Sequence, residues 1–304
     1  VTDHNDFVER RRHRVGASDV AAALTGSFGL SPAAVIGGKL GLLADQPTDR
    51  MRLGLALEDK VIDAAAVLLG VTVEARQVEV PHPDYPWLVA TCDALVRPAT
   101  GWRFPLEVKT TSNPDGYPEE YLETQLTAQM LCLGVTKGFS AVRNLATGEF
   151  TVREHRLDDD VAEMVLGMAK TLWEYLDTGT LPPAMFPGDS QLWNRLHPQS
   201  TGTHVELDAD LFEELVVAKE DAQQYANIYD LLEAKVKEQL GEAEIGTVDG
   251  VPRIRWRTYT QRRIDLKSLE AENPDLVEAH RKESSARRFG VVAPIRQHTN
   301  AKEQ

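Results

Sequence analysis

The segment Leu106-Glu107-Val108-Lys109-Thr110 places a carboxylate and an ammonium two residues apart in a run of strand-forming residues. At the period of a strand, both ionic side chains leave one face while Val108 turns to the opposite, apolar side. Fourteen positions before Glu107, Asp93 ends a second apolar run, Leu88-Val89-Ala90-Thr91-Cys92. The turn residues Pro98-Ala99-Thr100-Gly101 between the runs are a hairpin signal, so Asp93 and Glu107 fall on neighbouring strands. Two carboxylates and a lysine are the groups that can hold a hard cation such as Mg²⁺ against a phosphodiester and stabilise the charge that builds there. Glu-x-Lys alone is a common solvent-facing pair worth little. Here both acids lie among apolar residues, where charge is costly without a partner such as a metal.

The scaffold these residues need is an α/β domain. Residues 18–43 read as two short helices broken at Ser31-Pro32, the first capped by Ser18 or Asp19. Asp49–Leu69 is a stronger helix, with Leu53, Leu57, Val61 and Ala64 or Ala65 at helical spacing, Gly70 as its stop and Glu58 on its surface. Residues 71–80, 88–96 and 102–110 read as an antiparallel meander. A helix over Glu119–Leu133 follows, then strands over 138–145 and 149–156 joined around Thr147-Gly148, and an amphipathic helix over 158–176. Residues 181–204 are rich in Pro, Ser, Gly and Thr and read as a linker. The expected domains are therefore 1–180, a linker over 181–204, and 205–304 with a long helix over Ala209–Leu240, a small hairpin, a short helix and a basic tail.

The 304-residue chain has a formal net charge of -14, which at first sight opposes binding to a phosphate backbone. The charge is unevenly spread, however. Arg10, Arg11, Arg12 and Arg14 form a basic cluster, and residues 253–288 are basic, whereas residues 205–246 carry twelve acids against three lysines. Cys92 and Cys132 have no CxxC spacing and suggest a reducing compartment rather than a disulfide framework. His13, His82, His155, His197 and His204 lack zinc-like spacing, and no GxSxG nucleophile motif occurs. No run approaches the roughly 18 apolar residues that span a bilayer, and the arginine-rich start lacks the apolar stretch of a secretory signal, so the expected location is cytoplasmic, with no membrane partner.

Over residues 7–176 several motifs in order resemble the YqaJ-type viral recombinases, the phage alkaline exonuclease family that includes lambda exonuclease and the RecE exonuclease. Phe7, Arg11 and Ala17-Ser18-Asp19-Val20 match its N-terminal aromatic, Arg and Ala-Ser pattern, although the aromatic there is usually Trp. Gly54 followed by Glu58, then Thr91-Cys92-Asp93-Ala94-Leu95, then Leu106-Glu107-Val108-Lys109-Thr110, then Tyr121 to Met130 match the successive motifs. The resemblance implies a PD-(D/E)XK, restriction-endonuclease-like core: a mixed sheet flanked by helices, here with a C-terminal helical appendage. It implies that Asp93, Glu107, Glu58 and the Val108 carbonyl ligate Mg²⁺, with Mn²⁺ as a substitute, that Lys109 orients and activates the attacking water, and that Gln125 positions the lysine or the water. It implies further that Arg11 and Ser18 hold a DNA 5′-phosphate. The activity implied is 5′-to-3′ digestion of double-stranded DNA ends by a ring-forming homo-oligomer, leaving 3′ single strands for a partner annealing protein. The family's second glutamine, two residues after the first, is Thr127 here, with Gln129 two further on, whose role the resemblance leaves open. Two other readings compete: another nuclease of the same fold, an endonuclease or a Cas4-like enzyme, and a non-catalytic DNA-binding scaffold. The lack of a cysteine cluster for iron and sulfur disfavours the Cas4-like form.

Overall fold

The computed structural model describes residues 12–43, 48–99, 101–282 and 287–291. Phe7, Arg10 and Arg11 lie outside the described residues. The chain divides into two compact units, Val1–His197 and Pro198–Gln304.

The first unit is built on one six-stranded mixed sheet. The strands are β1 (Val15–Gly16), β2 (Thr72–Pro81), β3 (Leu88–Arg97), β4 (Phe104–Thr111), β5 (Lys137–Asn144) and β6 (Phe150–Arg156). β2, β3 and β4 form the expected antiparallel meander, β1 joins β3 in parallel, β5 joins β4 in parallel, and β6 closes the edge antiparallel to β5. The parallel β4–β5 pair requires a crossover, which helix α4 (Glu119–Leu133) supplies.

Helices α1 (Ala17–Thr25), α2 (Pro32–Lys39) and α5 (Asp159–Thr178) precede and follow this crossover. Val20, Ala21 and Ala22 of α1, Ala128 and Cys132 of α4, and Val165, Ala169 and Leu172 of α5 share one core with Leu88, Ala90 and Cys92 of β3. A second core holds Val61, Ile62 and Ala65 of α3 (Asp49–Leu69) against Ala94, Val96, Leu106 and Val108. Cys92 thus packs in one core and Ala94 in the other, so the period-two alternation of β3 is interrupted at Asp93. Cys92 and Cys132 are free thiols in the first core, and burial pushes the Cys132 thiol up to about 12. No single helix among the described residues is long and apolar enough to cross a membrane.

Two local expectations are corrected. Neither Ser18 nor Asp19 caps α1: Gly16 does, and Asp19, in the first turn, accepts the Gly16 N–H at 2.6 Å. Residues 181–204 are not a linker throughout, because helix α6 (Asp189–Leu196) lies inside them with Leu192 buried against Ala33 and Ala34 of α2. Its first residue, the buried Asp189, is hydrogen-bonded by the Ser31 hydroxyl and by the Met185 and Phe186 N–H groups.

The second unit consists of α7 (Ala209–Leu240), a hairpin of β7 (Ile245–Val248) and β8 (Val251–Arg255), and two short helices, α8 (Leu266–Glu272) and α9 (Pro274–Ala279). Asp208 caps α7 through the Leu211 N–H, and Asp249-Gly250, both at positive φ, turn the hairpin as two-residue loops require.

Candidate active site

The site forms where β3 and β4 part. Their last paired residues are Ala94 and Leu106, and one step further stand Asp93 and Glu107. There the Asp93 side chain takes the place of the strand ladder: its Oδ2 accepts the Val108 N–H at 2.8 Å. On the other flank of β3, Arg76 pairs with Ala94 and Val78 with Cys92, leaving Gln77 opposite Asp93 with φ of 51°, in the left-handed region. A non-glycine residue held there is strained, a condition that gathers at functional sites. Its amide donates to the Glu58 carboxylate.

Glu58 reaches this point because it extends the buried stripe of Ile62 and Ala65 by one helical turn. Gly54, one turn earlier, explains why α3 can lie so close to β4: a Cβ there would stand 3.1 Å from the Thr110 hydroxyl. The Gly54 and Glu58 spacing is thus a packing requirement joined to a side chain that reaches the cavity.

Glu107 is 1% exposed, which would be prohibitive for an unpartnered carboxylate. Three donors surround it. Lys109 Nζ lies 2.5 Å from its Oε1, Gln125 Nε2 donates to Oε1 at 2.6 Å, and Gln129 Nε2 donates to Oε2 at 2.6 Å. Gln125 and Gln129 are one turn apart on α4, a helix buried nearly all round, and both are buried with it. Gln129 also reaches the Thr91 carbonyl at 3.3 Å. The Oε1 atoms of both glutamines have no hydrogen-bond partner among the described residues. Gln129, whose part the sequence left open, therefore clamps the central carboxylate as directly as Gln125. The signal that could have found it is the four-residue spacing.

Glu58, Asp93, Glu107, Lys109 and Gln125 line one cavity of about 210 Å³, together with Ser18, Arg14 and Lys39. Carboxylates thus share it with a basic and hydroxyl-bearing rim. Arg14 pairs with Glu79 at 2.6 Å, and Lys39 pairs with Asp19 at 2.7 Å. Sequence reasoning missed Gln77 and Lys39 here, which nothing local distinguishes from surface polar residues, and it read Asp19 as a helix cap within the Ala-Ser pattern rather than as the partner of Lys39. Of the residues singled out, Val108 meets Asp93 through its N–H, and Arg11 lies outside the described residues.

The electrostatics record a surplus of negative charge. Burial first, and the neighbouring Glu107 second, hold the Asp93 carboxyl well above the usual carboxylate range. Burial likewise raises Glu58, against the lowering effect of its Gln77 hydrogen bond. Burial alone would pull the Lys109 ammonium down, but Glu107 and then Asp93 reverse this and hold it above the ordinary lysine range. Among the described residues no three His, Cys, Asp or Glu side chains converge into a ready-made metal cage. Even so, hard oxygen donors crowded at one cavity, two of them resisting ionisation, fit a divalent cation, whose charge relieves that crowding.

A mixed sheet flanked by helices, with Asp93 and Glu107-x-Lys109 on adjoining strands, is the arrangement that the sequence resemblance implies. Residues 6–136 match the family model of the YqaJ-like viral recombinase domain, a stretch that contains Glu58, Asp93, Glu107, Lys109, Gln125 and Gln129. The chain is 24% identical over 304 residues to the uncharacterized protein YqaJ of Bacillus subtilis (strain 168), covering 94% of this chain and 93% of that protein. Among solved structures it is similar to the alkaline exonuclease LHK-Exo of Laribacter hongkongensis, at 19% identity and a TM-score of 0.47 over 58% of this chain and 93% of that one. A putative exonuclease of Eubacterium rectale matches at 10% identity and a TM-score of 0.45, over 68% of this chain and 96% of that one.

Gln129→Leu keeps the volume of the side chain and removes one charge-assisted donor from Glu107. The expected cost is about 1.5–3 kcal/mol, read as a lower denaturant midpoint. An unchanged midpoint would leave Gln129 without a part in holding Glu107.

Proposed function

We propose that the first unit is a divalent-metal-dependent deoxyribonuclease that digests double-stranded DNA from 5′ ends and leaves 3′ single strands for a partner annealing protein. The observation that carries the reading is the gathering of Asp93, Glu107, Lys109 and Glu58 at one cavity where two strands part. The match to a viral recombinase domain supports a role at DNA ends.

Asp93, Glu107 and Glu58, with the Val108 carbonyl, would hold Mg²⁺, or Mn²⁺ in its place, since all are hard oxygen donors. A divalent cation bound there supplies Lewis-acid stabilisation of the charge that gathers on a scissile phosphate. Lys109, held as an ammonium by Glu107 and Asp93, orients the attacking water and adds positive charge beside the phosphate. Gln125 and Gln129 fix the rotamer of Glu107 through both its oxygens, so the carboxylate needs no reorganisation when substrate arrives. Ser18, in the first turn of α1, and Arg11 hold the 5′-phosphate, the former aided by the helix N-terminus. The active form is a homo-oligomeric ring around DNA, and the second unit serves as an appendage for assembly or for the annealing partner.

The test is digestion of linear duplex DNA labelled at either the 5′ or the 3′ end, with and without Mg²⁺. Early release of the 5′ label, only with Mg²⁺, is the expected result; early release of the 3′ label would reverse the polarity. A 5′-phosphate should accelerate digestion over a 5′-hydroxyl, and Arg11→Ala should erase that difference, because a guanidinium grips phosphate oxygens bidentately. Equal wild-type rates on both ends would remove this role from Arg11.

A further inference from the structure

Between α1 and α2 the chain holds Phe28 at φ of 60°, in the left-handed region, with its side chain largely in water at 61% exposure. A bulky residue there is an outlier that persists only where its surroundings over-determine it. They do so on both sides. Gly26, at φ of 62°, lies so close to the Phe186 ring that a Cβ would stand 2.6 Å from it. Past the turn, Ser31 is tied to the buried Asp189, which also gathers the Met185 and Phe186 N–H groups at 2.9 and 3.0 Å. The 185–189 segment is thus a brace behind the turn. What the brace secures is not a buried side chain but an exposed one.

The ring is also aimed. It stands on Tyr121, edge to face at a centroid distance of 5.2 Å, and on Tyr117 at 5.7 Å. Both tyrosines lie in the field of the Lys109 ammonium, and the Tyr121 hydroxyl approaches the carbonyl of Ser18, which lines the cavity. Phe28 is therefore one aromatic layer from the groups assigned to the phosphate. A flat apolar ring at that remove from phosphate chemistry matches the two-part form of a nucleotide, one face for a base and one charged site for its phosphate.

We propose that Phe28 is a stacking platform for an unpaired nucleobase at the DNA end entering the site. The inference rests on the nuclease reading and adds a base-binding position to it. Stacking on an aromatic ring tolerates every base, so the platform grips a strand without selecting sequence.

The test uses the full chain carrying Lys109→Ala, in EDTA, so that DNA is bound but not cut. The probe is a 5′-phosphorylated duplex with 2-aminopurine at its terminal nucleotide, whose emission rises when it leaves the duplex stack. With Phe28 present, binding should raise the emission. Phe28→Leu, which keeps an apolar side chain but no π-face, should weaken end binding about tenfold and abolish most of the rise. Phe28→Trp should restore the affinity. Phe28→Gly relieves the positive φ, so it should keep or raise Tm while losing the signal. Unchanged affinity and emission with Phe28→Leu would overturn the proposal while leaving the nuclease reading intact. So would a lowered Tm with Phe28→Gly beside normal binding by Phe28→Leu, which would assign the ring to packing. Failure of the Phe28-containing protein to bind the duplex at all would instead overturn the nuclease reading, and this inference with it.

Discussion

Lys109→Ala gives a folded protein whose DNA cleavage falls by roughly 10²–10³-fold or more, in the range found when one charge-stabilising donor is removed from an active site. The ammonium lies 2.5 Å from Glu107 and is the only one of that carboxylate's three donors that carries charge. Its loss leaves Glu107 bonded to the two glutamine amides, so the acid remains solvated by protein and the fold survives. A cost of about 1–3 kcal/mol in stability accompanies the loss, because a charge-assisted bond to a buried group has gone. The carboxylates themselves are untouched, so Mg²⁺ binding measured by calorimetry should persist while turnover disappears. Wild-type turnover by purified, folded Lys109→Ala would sink the active-site assignment.

Asp93→Asn has the opposite signature on stability. Asn keeps an oxygen for the Val108 N–H but removes a charge that burial and Glu107 both oppose. An acid whose folded pKa is raised contributes stability that is fully present below its unfolded pKa and is lost as pH rises through its folded pKa. At neutral pH ionised Asp93 is therefore a liability in the metal-free protein. The substitution should raise Tm there, by about 2–4 °C for each kcal/mol relieved, and the gain should fade as pH falls toward the ordinary aspartate range. Mg²⁺ should raise the Tm of the wild type in proportion to the logarithm of its concentration and leave the variant unmoved. Cleavage by the variant should be undetectable. An equal Mg²⁺ response in both proteins would place the cation elsewhere.

The sequence declared its helices where their ends carry their own chemistry. Gly70, read as the stop of α3, closes it in the left-handed conformation, and the structure adds Thr48 and Asp208 as caps of α3 and α7 and Gly134 at the end of α4. Asp93, Glu107 and Lys109 were visible for a similar reason: a strand's two-residue period and a turn signal suffice to bring them together. What stayed hidden depends on tertiary partners. Helix α6 begins at Asp189, whose hydroxyl partner Ser31 is 158 positions away, so a Pro- and Ser-rich segment reads as linker until that bond is seen. Gln129 looks like an ordinary helix residue until Glu107 is set opposite it. The strain at Gln77 and Phe28 follows from packing that no local pattern encodes, and the parallel joins of β1 and β5 follow from crossovers rather than from strand composition.

The central claim, that the cavity of Asp93, Glu107 and Lys109 cleaves DNA with a divalent cation, is tested most directly by release of acid-soluble nucleotide from uniformly labelled linear duplex DNA. Wild type and Asp93→Asn are each assayed in Mg²⁺ and in EDTA. Release by the wild type in Mg²⁺, and in none of the other three reactions, is the predicted result. Release that persists in EDTA, or that Asp93→Asn matches in Mg²⁺, would contradict the account.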